Sequence, residues 1–225
     1  MQTGENESVG PVRVLLVDDD AMVREHLSRL LSANGSVEVV SAVASIDQAV
    51  EVLRSRSVDV ALLDIRMPGT DGISGLPRLL EIRPQLPAAM LTTFGDDAYI
   101  RGAVAAGARG FLLKTESPAD IVRAVTALHS GGAFFTPRAA RWLVRAEAAS
   151  RHGRDDKAAA LIAALPPHQR KMLSLVAQGM SNREIASELG LATGTVKQYL
   201  SSAFAAIGAE NRVQAAIMAY RIDSP

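Results

Sequence analysis

Five short apolar segments rich in β-branched residues, VRVLLV, VEVVSA, VDVALL, AAMLT and GFLL, start at Val12, Val37, Val58, Ala88 and Gly110. Each reads as a strand with both faces buried. Stretches with helical periodicity alternate with them, around Met22–Ala33, Asp47–Arg56, Ile73–Ile82, Asp97–Ala106 and Pro118–Leu128. Parallel strands need a crossover connection and a helix supplies it, so this order predicts a doubly wound α/β domain with a five-stranded parallel sheet. Gly75 and Pro77 interrupt the third helical stretch and predict a late start or a kink there.

In open parallel sheets, ligands sit beyond the carboxyl ends of the strands. Strand one runs into Asp18, Asp19 and Asp20, strand three ends at Asp64, strand four at Thr92 and Thr93, and strand five at Lys114. A lone aspartate after a strand is commonly a cap or a turn residue, and Asp20 reads as the cap of the helix AMVREHLSRLL. Carboxylates, a hydroxyl and an ammonium converging on one sheet edge are more than capping requires. Carboxylates this close repel one another unless they share protons or bind a cation, and oxygen ligands with room for water suit Mg²⁺.

With Met67-Pro68-Gly69 and Asp71-Gly72 following Asp64, residues 11–131 resemble the flavodoxin-like receiver domain of two-component response regulators. The resemblance implies that Asp64 accepts a phosphoryl group from a sensor histidine kinase. Asp18, Asp19, Asp64 and the Arg66 backbone carbonyl would hold Mg²⁺. Thr92, with Thr93 beside it, and Lys114 would bind the phosphoryl oxygens, and Phe111 falls at the family's switch aromatic. Such a receiver catalyses only its own phosphotransfer and dephosphorylation. Arg66 and Phe94 stand where family side chains affect the lifetime of the phosphate, and Thr115 replaces the proline that often follows the lysine. A phosphoaspartate phosphatase is the rival from another class, but those enzymes place a second acid where this chain has Arg66.

Charge divides the chain. Residues 1–131 hold 17 acids and 12 bases, whereas 162–222 hold 3 acids and 6 bases, so only the second half suits a polyanionic partner. After Ser130-Gly131-Gly132 the strand rhythm stops. Residues 132–160 read as a linker with a helix, in which Trp142 packs against a domain face. Residues 161–225 read as all-α. Ser181 and Glu184 form a capping box, Gly190 closes a short helix, and GLATG is the length of a helix-turn-helix connection. Val196, Leu200, Phe204 and Ile207 then form a core stripe, with Gly194, Thr195, Gln198, Ser201, Ser202 and Ala205 opposite and Lys197 on the flank.

An ordinary helical hairpin has the same pattern, and a protein-interaction module that makes no specific DNA contact is a third reading. The flanking segments, LPP with RKMLSLVAQGMSNREIA and GAENRVQAAIMAYR, make 161–225 similar to the four-helix LuxR-type DNA-binding domain. Receiver and helix-turn-helix together resemble the NarL/FixJ class of transcription regulators. That resemblance implies promoter DNA as ligand, contacts from Arg183, Thr195, Lys197, Gln198, Ser201 and Arg212, a homodimer on phosphorylation, and RNA polymerase as a further partner. The recognition helix carries one cation, Lys197, so weak nonspecific affinity is expected from an isolated domain.

The longest apolar run, Ala158–Leu165, falls far short of the ~20 residues that span a bilayer. Residues 1–10 are polar and acidic, unlike a secretory signal, and are expected to be disordered. With no cysteine in the chain, these features predict a cytoplasmic protein without thiolate chemistry.

Overall fold

The computed structural model describes residues 10–33, 35–93, 97–136, 139–140 and 155–223. The expectations for residues 1–9, Phe94, Trp142 and most of the linker lie outside the described residues. Strands β1 (Val12–Val17), β2 (Val37–Val43), β3 (Val60–Asp64), β4 (Ala88–Thr92) and β5 (Gly110–Leu113) pair in parallel, in the order β2-β1-β3-β4-β5. A sixth strand, β6 (Phe134–Phe135), adds to β5 as a further parallel neighbour. Two residues are too few to show a period, which is why the sequence predicts only five strands.

Helices α1 (Ala21–Ser32), α2 (Ile46–Ser55), α3 (Gly72–Ile82), α4 (Asp97–Ala105) and α5 (Pro118–His129) follow the first five strands in turn. Alternation along β1 sends Leu15 and Val17 to one face and Val12, Val14 and Leu16 to the other. The first face packs on Ile46, Leu53, Leu76, Leu79 and Ile100 from α2, α3 and α4. The second packs on Leu27, Leu31, Ile121, Val125 and Leu128 from α1 and α5. Burying each large aliphatic side chain contributes about 1.5–3 kcal/mol, and this two-sided core fixes the sheet edge that carries the polar residues.

Of the late start or kink expected of α3, the late start does not occur. The helix begins at Gly72 and continues through Pro77. Asp71 caps it, accepting from the Ser74 N–H at 2.8 Å. A Cβ on Gly72 would lie 2.1 Å from the Asp64 carbonyl oxygen, so glycine lets the helix start against the end of β3. Gly75 makes room for Ile46, whose side chain would lie 2.4 Å from a Cβ there. Packing thus offsets the ~1 kcal/mol that glycine costs inside a helix.

The C-terminal region contains α6 (Asp155–Ala163), α7 (Pro167–Ala177), α8 (Asn182–Leu189), α9 (Thr193–Ile207) and α10 (Arg212–Asp223). α6 crosses the boundary expected at residue 161, and Ile162 joins Leu173, Ala203, Ile207 and Ala215 in one core cluster. Both halves of the capping box on α8 are formed, and Gly190 ends that helix at φ 65°. On α9 the buried stripe is Val196, Leu200, Ala203 and Ile207. Ala203 takes the place expected for Phe204, which is half-buried and touches two clusters.

Candidate functional site

Order β2-β1-β3-β4-β5 changes direction between β1 and β3, and the carboxylates meet at that switch point. Asp18 follows β1, fixed by its N–H donating to the Val43 carbonyl at 3.0 Å, and is fully buried. Asp64 is the last residue of β3 and is 5% exposed. The Lys114 ammonium lies 2.6 Å from Asp18 Oδ2 and 3.0 Å from Asp64 Oδ2. Asp18 Oδ2 is buried with no partner but that ammonium, while Oδ1 accepts from the Asp20 N–H at 3.0 Å. Asp19 is exposed at the mouth. Asp20 caps α1 as expected, accepting from Met22 and Val23.

Burial raises the pKa of Asp64, opposed by the hydrogen bond and charge of Lys114 and reinforced by the charge of Asp18. For Lys114 burial alone would lower the pKa, but hydrogen bonds and charge from Asp18 and Asp64 together raise it. The ammonium therefore stays charged and holds two carboxylates in place. One oxygen from each of Asp18, Asp19 and Asp64 lies within 4.8 Å of the others. Three hard oxygen donors around one point, one of them buried with a single partner, fit a divalent cation that keeps several waters.

Thr92 is buried at the end of β4 and its carbonyl accepts from the Lys114 N–H at 2.7 Å, which joins the two strand ends. Thr93 is exposed. Phe111 is 1% exposed and packs in the core under α2, α3 and α4. The Arg66 guanidinium turns to Tyr99, with Nε donating to the Tyr99 hydroxyl at 3.0 Å. Sequence reasoning missed Tyr99 and also Arg24, which donates to the Asp18 carbonyl at 2.6 Å. Neither shows a signal in sequence, since both are single polar positions on amphipathic helices.

On α9, Gly194, Lys197, Gln198, Ser201, Ser202 and Ala205 are exposed, and so is Arg183 on α8. Thr195 is half-buried. Arg212, expected on the DNA side, is 5% exposed in this arrangement. It donates to Asn182 Oδ1 at 2.8 Å and to the Met180 carbonyl, clamping α10 to the start of α8. Part of the α9 face is turned toward the α/β domain. Lys197, Leu200, Ser201 and Ala205 line a cleft of about 290 Å³ whose far wall is Leu80, Pro84–Leu86, Gly107 and Arg109 of the α/β domain. Two hydrogen bonds close it: Asn211 Nδ2 donates to the Val104 carbonyl at 3.0 Å, and the Asn182 N–H donates to the Ser130 carbonyl at 3.1 Å.

An acidic pocket at the switch point of a parallel sheet, followed by a helix-turn-helix unit, defines a receiver joined to a DNA-binding domain. Comparison with known proteins agrees. Residues 14–126 match the response regulator receiver domain, and residues 163–219 match the bacterial regulatory proteins of the luxR family. The DNA-binding transcriptional activator DevR/DosR of Mycobacterium tuberculosis is 35% identical over 208 residues, covering 92% of this chain and 94% of that protein. Transcriptional regulatory protein LnrK of Bacillus subtilis is 32% identical, covering 93% and 97%. Among solved structures, response regulator ChrA of a heme-sensing two-component system is 32% identical with a TM-score of 0.51, covering 95% of this chain and 98% of that one. The chain belongs to the two-component response regulators that pair a receiver with a LuxR-type DNA-binding domain.

Proposed function

We propose that Asp64 takes a phosphoryl group from a sensor histidine kinase and that this opens the interdomain cleft, freeing α9 for promoter DNA as part of a homodimer. The observation that carries the reading is the position of α9, where Lys197, Ser201 and Ala205 of the outward face line a cleft with the receiver that is too small for a duplex. In the transfer, an Asp64 carboxylate oxygen forms a bond to phosphorus as the bond from phosphorus to the histidine nitrogen breaks, and the departing imidazole keeps the electron pair. Lys114, already beside Asp64, stabilises the transferring oxygens. Asp18, Asp19 and Asp64, with the Arg66 carbonyl, are the groups that would hold Mg²⁺, which when bound supplies charge neutralisation between the carboxylate and the incoming anion. The receiver's chemistry goes no further than its own phosphorylation and dephosphorylation.

Helix α4 supplies a path between the two ends. Nine residues at 1.5 Å per residue make a rod about 13 Å long. Near its start Tyr99 holds Arg66, and near its end the Val104 carbonyl holds Asn211. A phosphoryl group that draws in Thr92 and shifts the fourth and fifth β-α units, with Phe111 repacking, moves this rod and strains the contact with Asn211. Once released, Lys197 and Arg183 neutralise DNA phosphates while Gln198, Ser201 and Thr195 approach base edges. RNA polymerase recruitment and a cytoplasmic location follow from the same reading.

The test is promoter binding by fluorescence anisotropy, with and without a small-molecule phosphodonor and Mg²⁺. The wild type gains affinity on phosphorylation. Asp64→Asn takes up no phosphate and gains none. Phosphorylation of Asp64→Asn would reassign the acceptor, and unchanged DNA affinity in a phosphorylated wild type would remove the switch.

A further inference from the structure

The interdomain cleft holds an arginine, Arg109, that neither the phosphoacceptor edge nor DNA reading accounts for. Arg109, in the turn before β5, lines it from the receiver side, and Lys197 and Arg212 line it from α9 and α10. Glu210 is the one carboxylate in the lining, and it is exposed. Among the described residues no hydrogen bond or ion pair engages the Arg109 guanidinium, and burial lowers its pKa. Arg212 is pushed down to about 10 by burial and by the charge of Arg109, against a smaller opposing influence from Glu184. Arg109 and Arg212 thus line one cleft at a domain interface, near enough for the charge of Arg109 to act on Arg212, and among the described residues no ion pair engages either. Like charges placed together weaken the interface that brings them together, unless an anion is shared between them.

We propose that this cleft is a binding site for a small phosphate-bearing dianion, held between Arg109 of the receiver and Lys197 and Arg212 of the DNA-binding domain. A volume of about 290 Å³ is at the small end of ligand sites. Guanidinium groups on opposite walls, with an ammonium beside them, suit a tetrahedral group that accepts from several directions better than a planar monocarboxylate. The bound anion turns the repulsion between Arg109 and Arg212 into a bridge. It also occupies Lys197, so anion and DNA exclude each other and the ligand opposes activation. That last consequence rests on the cleft-opening reading above, whereas binding of the anion does not.

Inorganic phosphate is the probe, titrated calorimetrically into the full-length protein with EDTA present and ionic strength held constant by chloride. The wild type binds one phosphate, and Arg109→Gln weakens it at least tenfold. In chloride alone Arg109→Gln melts at or above the wild-type temperature, because it removes an unpaired charge from the interface. Phosphate then raises the melting temperature of the wild type more than that of the variant. Equal binding or equal stabilisation in both proteins overturns the site. A wild type that binds phosphate but whose DNA affinity is unaffected by it keeps the site and refutes its coupling to the cleft.

Discussion

Asn211 donates its side-chain amide to the carbonyl of Val104 at 3.0 Å, joining the entrance of α10 to the far end of the receiver helix α4. The same side chain accepts from the Gln214 N–H at 2.9 Å through Oδ1, capping α10. Asn211→Asp keeps the acceptor and removes the donor, leaving a carboxylate facing a carbonyl. A lost interdomain hydrogen bond of about 1 kcal/mol predicts roughly five-fold tighter promoter binding by the unphosphorylated protein, measured by anisotropy.

Gly131 tests the same interface from the other side. It has φ 84°, and a Cβ there would lie 2.4 Å from Asn182 Nδ2. Gly131→Ala is expected to push Asn182 away and loosen the hydrogen bond from the Asn182 N–H to the Ser130 carbonyl. Faster limited proteolysis of the linker, with the receiver's own phosphorylation unchanged, is the expected readout.

At the carboxylate cluster, adding Mg²⁺ should raise the melting temperature, because a cation offsets the repulsion among Asp18, Asp19 and Asp64. Linkage gives about 2.7 kcal/mol at a concentration one hundred times Kd. Asp19 is exposed and outside the Lys114 pair, so Asp19→Asn should fold normally and lose most of this gain in a thermal scan.

The capping box makes a pH prediction. The backbone and side-chain hydrogen bonds with Ser181 hold the Glu184 carboxyl below its ordinary value. A depressed folded pKa contributes stability above the unfolded value of 4.5, and that contribution is lost as pH falls through the folded pKa. Ser181→Ala should cost about 1 kcal/mol at neutral pH by urea titration and reduce the loss on acidification.

Reading of DNA separates Lys197 from Gln198. Lys197→Ala should weaken binding to every sequence alike and reduce the salt slope by about one. Gln198→Ala should change preference at one base pair by about 1–3 kcal/mol. Equal effects of both on random DNA would contradict base reading by Gln198.

The sheet is legible in the sequence because its strands are short runs rich in β-branched and aliphatic residues, as five of the six are, although β2, at the sheet edge, is not the buried strand expected, with only Val37 buried. β6 does not, since Phe134 and Phe135 join only by docking on Gly110 and Phe111. The acidic pocket is legible for a related reason: a strand end fixes the place of the residue that follows it, so the strand pattern alone gathers Asp18, Asp64, Thr92 and Lys114 on one edge. The interdomain surface is not legible. Asn182 follows the cap Ser181 and Asn211 caps α10, and nothing local shows that they also reach Ser130 and Val104. Arg212 reads as a phosphate contact because arginine is usually exposed, and here tertiary packing overrides that preference.

The most direct test of the switch is the distance across the cleft. The chain has no cysteine, so Glu81→Cys and Ser202→Cys, both at exposed positions, give a unique pair for spin labels. Pulsed electron resonance should show one short distance in the unphosphorylated protein. A longer distance should appear on addition of phosphodonor and Mg²⁺, and only when Asp64 is intact. An unchanged short distance in a protein phosphorylated at Asp64 would contradict the account.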